Sequence, residues 1–371
     1  QLQPAVTVLD NGTQVVVWAS NGQDGDGYGI YARRLDANGQ PLGTEFRVNS
    51  VTSMNQQTPS VAPLGNGGFM IFWGQTKADS DARYTAIRAQ RYDAVGNPVG
   101  SEMTLATQYG VNTPKATRLS DGSVMMVWAQ SQFNSVAQTF LIGQRFGGDG
   151  TALTGPFVLA TAASLTGGVA LPSITALADG GYAVGWAQNT NVVNRYWDVF
   201  TQVYSNSNTA VTGPILSCSV AGPYNQQQSA LAGLADGSFV VAYMSSGDQD
   251  SSGNGIFLRR YSASGQLLQG DTLVNSYVAG DQQQPSVTAL ADGGFVVSWT
   301  SAAQDGSGYG VYAQRYDAAG GKVGGDFLLE QNLAGDQVQP ALTARPDGGF
   351  VAAWAGPDGS GYGIQTREFS A

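Results

Sequence analysis

The chain has 371 residues and a formal net charge of −10, with 17 Lys and Arg set against 27 Asp and Glu and no basic cluster. Nucleic acid and anionic membrane surfaces need a basic footprint, and no apolar run approaches the roughly 18 residues of a membrane span, so neither partner nor membrane insertion is expected. Histidine is absent and Cys218 is the only cysteine, which removes His-based triads, His metal sites and any intrachain disulfide.

Taken in chain order, one motif returns seven times: Gln3-Pro4, Thr58-Pro59, Thr113-Pro114, Leu171-Pro172, Gln228-Ser229, Gln284-Pro285 and Gln339-Pro340. The second positions, 4, 59, 114, 172, 229, 285 and 340, lie 55 to 58 residues apart, a spacing that suits propeller blades and similar arrays. Length alone suggests two or three domains, but a tandem repeat overrides that prior. The expected organisation is a single domain, 1–371, with blades at 1–55, 56–110, 111–168, 169–224, 225–281, 282–336 and 337–371.

Each repeat reads as four strands, and the 51 glycines fall largely between short runs of Val, Ile, Phe, Tyr and Trp. In the sixth copy the strands are predicted at 286–290, 295–299, 310–316 and 326–329. The first turn is written Asp-Gly-Gly, a strong tight-hairpin signal because it needs positive φ. Its acid is read at Asp10, Asp121, Asp179, Asp236, Asp292 and Asp347, with Asn66 in the second copy. The second strand is apolar on both faces, as from Phe69 to Trp73 or Phe239 to Tyr243, so both faces must be covered. The fold class is therefore all-β, a seven-bladed β-propeller of four-stranded repeats. An open β-solenoid is the rival, but its rungs are usually shorter. The seventh copy ends at Ala371 after three strands; this predicts a three-stranded last blade or a piece of a longer polypeptide. No signal-like segment opens the chain, which reads as mature or excised.

Two recurring residues read first as scaffold. Trp18, Trp73, Trp128, Trp186, Trp299 and Trp354, with Tyr243 in the fifth copy, end every second strand, a position that suits packing between blades better than a sugar platform. Arg34, Arg91, Arg145, Arg260, Arg315 and Arg367 recur in the third strand, with Val203 the exception, and suit pairing with the turn acid better than an anion-binding ring.

Function is sought in the loops between strands two and three, which vary while the Asp-Gly turns barely change. Four loops share an Asp- and Gly-rich motif that resembles a calcium loop, in which glycines let oxygen ligands converge. Its candidate ligands are Asp24, Asp26, Asp248, Asp250, Asp305 and Asp358. No bidentate Glu follows at the spacing of a calcium-binding hand, so a solvated glycine hairpin competes with calcium. The other three loops carry Arg83 and Tyr84, Phe133, and the run Arg195, Tyr196, Trp197 and Asp198. Trp197 is the only Trp outside the scaffold set, and beside planar polar groups it has the ingredients of a carbohydrate subsite. Tyr224, on the link into the next blade, borders the same face.

The Gln-Pro start, the Asp-Gly-Gly-Phe-Val-Val-x-Trp core, and Asp-Gly-x-Gly-Tyr-Gly followed by the run from Tyr312 to Asp317 resemble a repeat of long secreted bacterial proteins. Those proteins often also carry hemolysin-type (RTX-associated), glycine- and aspartate-rich calcium repeats. The resemblance spans essentially the whole chain, with copies three to five degraded, and the nonapeptide calcium repeats themselves are absent. It implies an adhesin-like, extracellular bacterial protein with a glycan or a cell-surface or matrix component as partner and calcium as the cofactor to test; the expected state is a monomeric domain, by itself or as part of a larger polypeptide. Three readings stay open: a non-catalytic binding module, a polysaccharide lyase or glycoside hydrolase, and a calcium-stabilised spacer. For catalysis, Asp79, Asp81 and Asp198 are free acids and Tyr196 with Arg195 suits a lyase, but only four Glu exist and no acid is placed opposite a base.

Overall fold

A computed structural model of the chain describes every residue except 77–84, 109–111, 134–136, 163–168, 190–195, 219–223, 247–251, 332–333 and 360. It shows six antiparallel four-stranded sheets and one of three strands, each in simple sequence order. The fold is a seven-bladed β-propeller whose last blade has three strands, Val338–Ala344, Phe350–Pro357 and Tyr362–Phe369. The chain divides into two compact units, 1–172 and 173–371.

Blade six runs Gln282–Ala289, Phe295–Ala302, Tyr309–Tyr316 and Lys322–Leu328. Its first strand begins four residues before the predicted start because the register shifts between Gln283 and Ser286. The cause lies in the repeat marker itself. Gln3, Thr58, Thr113, Leu171, Gln228, Gln284 and Gln339 all have φ between 51 and 60°, a left-handed conformation that non-glycine residues rarely adopt and that costs about 1–2 kcal/mol each. At Gln3, Thr58, Thr113, Gln228, Gln284 and Gln339 the strand register shifts, marking a bulge near the start of the strand. The long side chain at this position then reaches the same residue one blade on: Gln3 Oε1 accepts from Thr58 N at 2.8 Å, Gln228 Oε1 from Gln284 N at 2.7 Å, and Gln284 Oε1 from Gln339 N at 3.1 Å.

The cores lie between neighbouring blades. In residues 1–172, Val15, Val17, Ile30, Ile71 and Trp73 join blades one and two, and Phe72, Val124, Met126, Trp128 and Phe146 join blades two and three. In residues 173–371, Tyr243 lies in the cluster joining blades four and five, Trp299 in that joining five and six, and Trp354 in that joining six and seven. None of the recurring aromatics is more than 4% exposed, so they are packing and not a sugar platform. Aromatic pairs reinforce the central hairpins: Phe295 stacks on Tyr316 at 4.6 Å and Phe350 on Phe369 at 4.6 Å.

The first turn follows its expected chemistry, with one correction. Gly12, Gly67, Gly122, Gly180, Gly237, Gly293 and Gly348 have φ of 81 to 91°, and the preceding acid or amide accepts from the amide two residues on, as Asp292 does from Gly294 N at 2.9 Å. In blade one that residue is Asn11, whose Oδ1 accepts from Thr13 N at 2.9 Å. Asp10 sits one place earlier and instead pairs with Arg118 at 2.8 Å.

The arginines divide according to this turn residue. Where it is Asp, in blades three, five and six, the pair forms: Arg145–Asp121 at 2.5 Å, Arg260–Asp236 at 2.5 Å and Arg315–Asp292 at 2.7 Å. Where it is Asn, the guanidinium crosses to the next blade, Arg34 to Ala94 O and Val95 O, and Arg91 to Asp149 O. In blade seven Arg345 takes over, at 2.7 Å from both Asp347 and Glu368, and Arg367 donates to Leu329 O.

Candidate functional site

Antiparallel strands bring the loop between strands two and three to the same end of the blade as the link to the next blade. A side chain on the link caps the third strand where it begins: Asn55, Asn225, Asp281 and Asp336 accept from the backbone N of Tyr28, Trp197, Asn254 and Tyr309 at 3.0 to 3.1 Å.

A second residue, just after the fourth strand, joins loop to link. In blade one Asn49 Oδ1 accepts from Ile30 N at 2.7 Å, and its Nδ2 donates to Asp24 Oδ2 at 2.9 Å, Val51 O at 2.8 Å and Gln56 Oε1 at 3.2 Å. In blade five Asn275 repeats this with Ile256 N at 2.8 Å, Tyr277 O at 2.9 Å and Gln282 Oε1 at 3.0 Å. Blade six places Glu330 there. Its two oxygens accept from Val311 N at 3.1 and 3.0 Å, but it has no N–H to give. Glu330 is 2% exposed, and burial, with the charge of Asp305 adding to it, pushes its carboxyl up to about 7.

Four of the proposed calcium ligands lie in this frame. Asp24 is half-buried, held by Asn49, and its Oδ1 is enclosed with no hydrogen bond. Asp26 and Asp358 are exposed. Asp305 is half-buried; its Oδ1 accepts from Ser307 N at 2.9 Å, while its Oδ2 is enclosed with no hydrogen bond. Asp248 and Asp250 lie outside the described residues. Among the described residues no three Asp, Glu, His or Cys side chains form a metal-binding group.

Around Trp197 the structure joins three of the proposed ligand-binding residues through Gln226. Trp197 opens the third strand of blade four, opposite Asn189. It, Tyr196 and Tyr224 are all half-buried. With its amide turned so that both ends find partners, Gln226 donates to Trp197 O at 3.1 Å, Tyr224 O at 3.3 Å and Asp198 Oδ1 at 3.1 Å, and accepts from Ser245 Oγ at 3.3 Å. Asp198 is 2% exposed and accepts from the Cys218 thiol at 3.9 Å, so it lies beneath this surface and not on it. Burial, first among several causes, holds that thiol up at about 12, an unreactive state. Arg195, Arg83 and Tyr84 lie outside the described residues, as does the side chain of Phe133.

One feature has no counterpart among the sequence candidates. Between blades two and three a cavity of about 430 Å³ is lined by Trp128, Phe140, Phe157, Thr104, Thr107 and Gln130, among others, with no charged side chain in its lining. Trp128 Nε1 donates to Gln130 Oε1 at 3.3 Å. Third-copy degeneracy hid it, since the lining comes from four strands of two blades.

No family model and no curated protein matches the chain. Solved structures do. A polysaccharide lyase family 25 ulvan lyase bound to -[GlcA(1-4)Rha3S]- aligns with TM-score 0.62 at 12% identity, covering 98% of this chain and 92% of that one. A protein of unknown function from Dyadobacter fermentans gives 0.59 at 10%, covering 86% and 96%. An α-L-arabinanase from Penicillium chrysogenum complexed with arabinobiose gives 0.56 at 14%, covering 85% and 93%. The likeness is one of fold. At these identities it transfers no site residue.

Within the described residues the end of the blades bearing these loops therefore offers two distinct chemistries. Blade four meets blade five in a half-buried aromatic edge. Blade six holds a buried acidic position. No helix among the described residues is long and apolar enough to cross a membrane.

Proposed function

We propose that this propeller is a non-catalytic carbohydrate-binding module of an extracellular or cell-surface bacterial protein, with Trp197 and Tyr224 at its recognition edge. The observation that carries the reading is that Gln226 holds the backbones of two half-buried aromatics, from separate segments, side by side. Aromatic faces beside fixed polar groups suit sugar rings, whose C–H faces stack while their hydroxyls bond. The buried position of Asp198 favours a positioning role and removes one acid from reach of a bound substrate. The oligosaccharides held by structural relatives are consistent with the reading.

The test is a glycan array with the purified chain, followed by titration of any hit with Trp197→Ala. Binding that falls at least tenfold in the variant, at unchanged melting temperature, supports the assignment. Equal affinity removes Trp197 from the site. Release of shortened or unsaturated products from ulvan or arabinan would replace the binding reading with an enzymatic one.

A further inference from the structure

The acidic position in blade six carries an inference of its own. In blades one and five the Asn at this position places an amide nitrogen among oxygens that all need a donor. That nitrogen supplies hydrogen bonds to Asp24 and Gln56 in one blade, and to Gln282 in the other. Blade six keeps the acceptors and removes the donor. Gln337 corresponds to Gln56 and Gln282, and its Nε2 is anchored on Ala334 O at 2.9 Å as theirs are on Ser53 O at 2.9 Å and Ala279 O at 3.2 Å. Its Oε1 is thereby turned the same way, yet it is enclosed with no hydrogen bond, on a side chain only 1% exposed. Asp305 corresponds to Asp24, and its Oδ2 is likewise enclosed and unbonded. Both Glu330 Oε1 and Asp305 Oδ2 lie within 3.0 Å of the point a Cβ on Gly310 would occupy, so glycine is required there for the two carboxylates to approach.

Asp305 Oδ2 and Gln337 Oε1 are enclosed without a hydrogen bond, and once Glu330 is ionised the position holds two carboxylates and an amide oxygen with no donor among them, an arrangement that proteins rarely leave uncompensated. We propose that blade six binds a divalent cation, Ca²⁺ by the chemistry of its donors, at the position where the sister blades place the Asn amide nitrogen, with Asp305, Glu330 and Gln337 as its protein ligands. The donors are hard oxygens of mixed type, and water completes the shell. Ca²⁺ accepts such irregular sets of six to eight oxygens, whereas Mg²⁺ demands a near-ideal octahedron and gives up water reluctantly. The cation does structurally what the amide does in blades one and five: it ties the loop to the link.

Chelator-stripped full-length chain is titrated with Ca²⁺ alone by isothermal calorimetry, with Mg²⁺ in parallel. Glu330→Asn installs the residue the sister blades already use. The expected result is that the wild-type chain loses one bound equivalent on this substitution, while the variant's melting temperature in chelator equals or exceeds that of the wild type. Asn49→Glu, which recreates the acidic set beside Asp24 and Gln56, is expected to add one equivalent. Should Glu330→Asn fail to fold, the isosteric Glu330→Gln is expected to cut Ca²⁺ affinity at least 100-fold. Absence of binding at 10 mM Ca²⁺, or a stoichiometry and affinity unchanged by the Glu330 substitutions, overturns the proposal.

Discussion

At one end of blades three, five and six, an arginine of the third strand reaches the turn acid of its own blade. At the other end of blades one, five and six, one carboxamide or carboxylate after the fourth strand accepts from the backbone of the third. The turn end changes by compensation: where Asp becomes Asn, the guanidinium finds backbone carbonyls of the next blade. The loop end changes chemistry instead. Asn becomes Glu with no donor gained, and elsewhere an aromatic pair is brought up to the link. At the turn end a lost acid is answered by a neutral carbonyl already at hand, whereas at the loop end of blade six the enclosed oxygens are left without such a substitute.

Trp299→Ala empties a fully buried position between blades five and six and is expected to cost about 3–5 kcal/mol in urea unfolding, the largest of these effects. Next comes pH in chelator. The Glu330 carboxyl is raised from 4.5 to about 7 in the folded chain, by burial first and by the charge of Asp305 in smaller part. Its neutral form therefore contributes stability that is complete below about pH 4.5 and lost as pH rises through about 7. The loss should be a few kcal/mol at most, about 3 by linkage, and Glu330→Asn should remove it; a metal-free stability profile that the substitution leaves unaltered would contradict this. At the turn end, Arg260→Ala strips Asp236 and Ser238 of their partner and should cost about 1–3 kcal/mol. The more exposed Arg315 should cost under about 1 kcal/mol. Asp26→Ala, at an exposed loop position, should stay within about 0.5 kcal/mol by thermal melting.

Much of the fold was legible because the repeat writes its periodicity in side chains that obey local rules. A Trp seven residues after a turn acid, with glycine between them, fixes a hairpin without further context, as Asp292, Gly293 and Trp299 show. The same ruler applied to Trp18 points to Asn11 and not Asp10, so that misreading was avoidable. The bulge at Gln284 was not legible, because a residue before proline gives no sign of a left-handed backbone stabilised by the preceding blade. The site was less legible still. Trp197 and Tyr224 were picked out as exceptions to the pattern, but the amide joining them comes from Gln226, which looks like ordinary link sequence. Glu330 carries no motif of its own; only its alignment with Asn49 and Asn275, both preceded by Val and followed by Ser, marks it as the odd member.

The glutamine grips between bulges run in one direction. Each acceptor lies upstream and each donor downstream, from Gln3 to Thr58, from Gln228 to Gln284 and from Gln284 to Gln339. A blade built this way carries a socket for whatever follows and a plug for whatever precedes, both within its own 55-odd residues. Where the marker is Gln, duplication or loss of a whole repeat cut at an equivalent point leaves a side-chain acceptor facing a backbone N–H; Thr58, Thr113 and Leu171 offer the following blade no carboxamide. Among the Gln-bearing blades the number of repeats can therefore change without new contacts having to be invented at the joint.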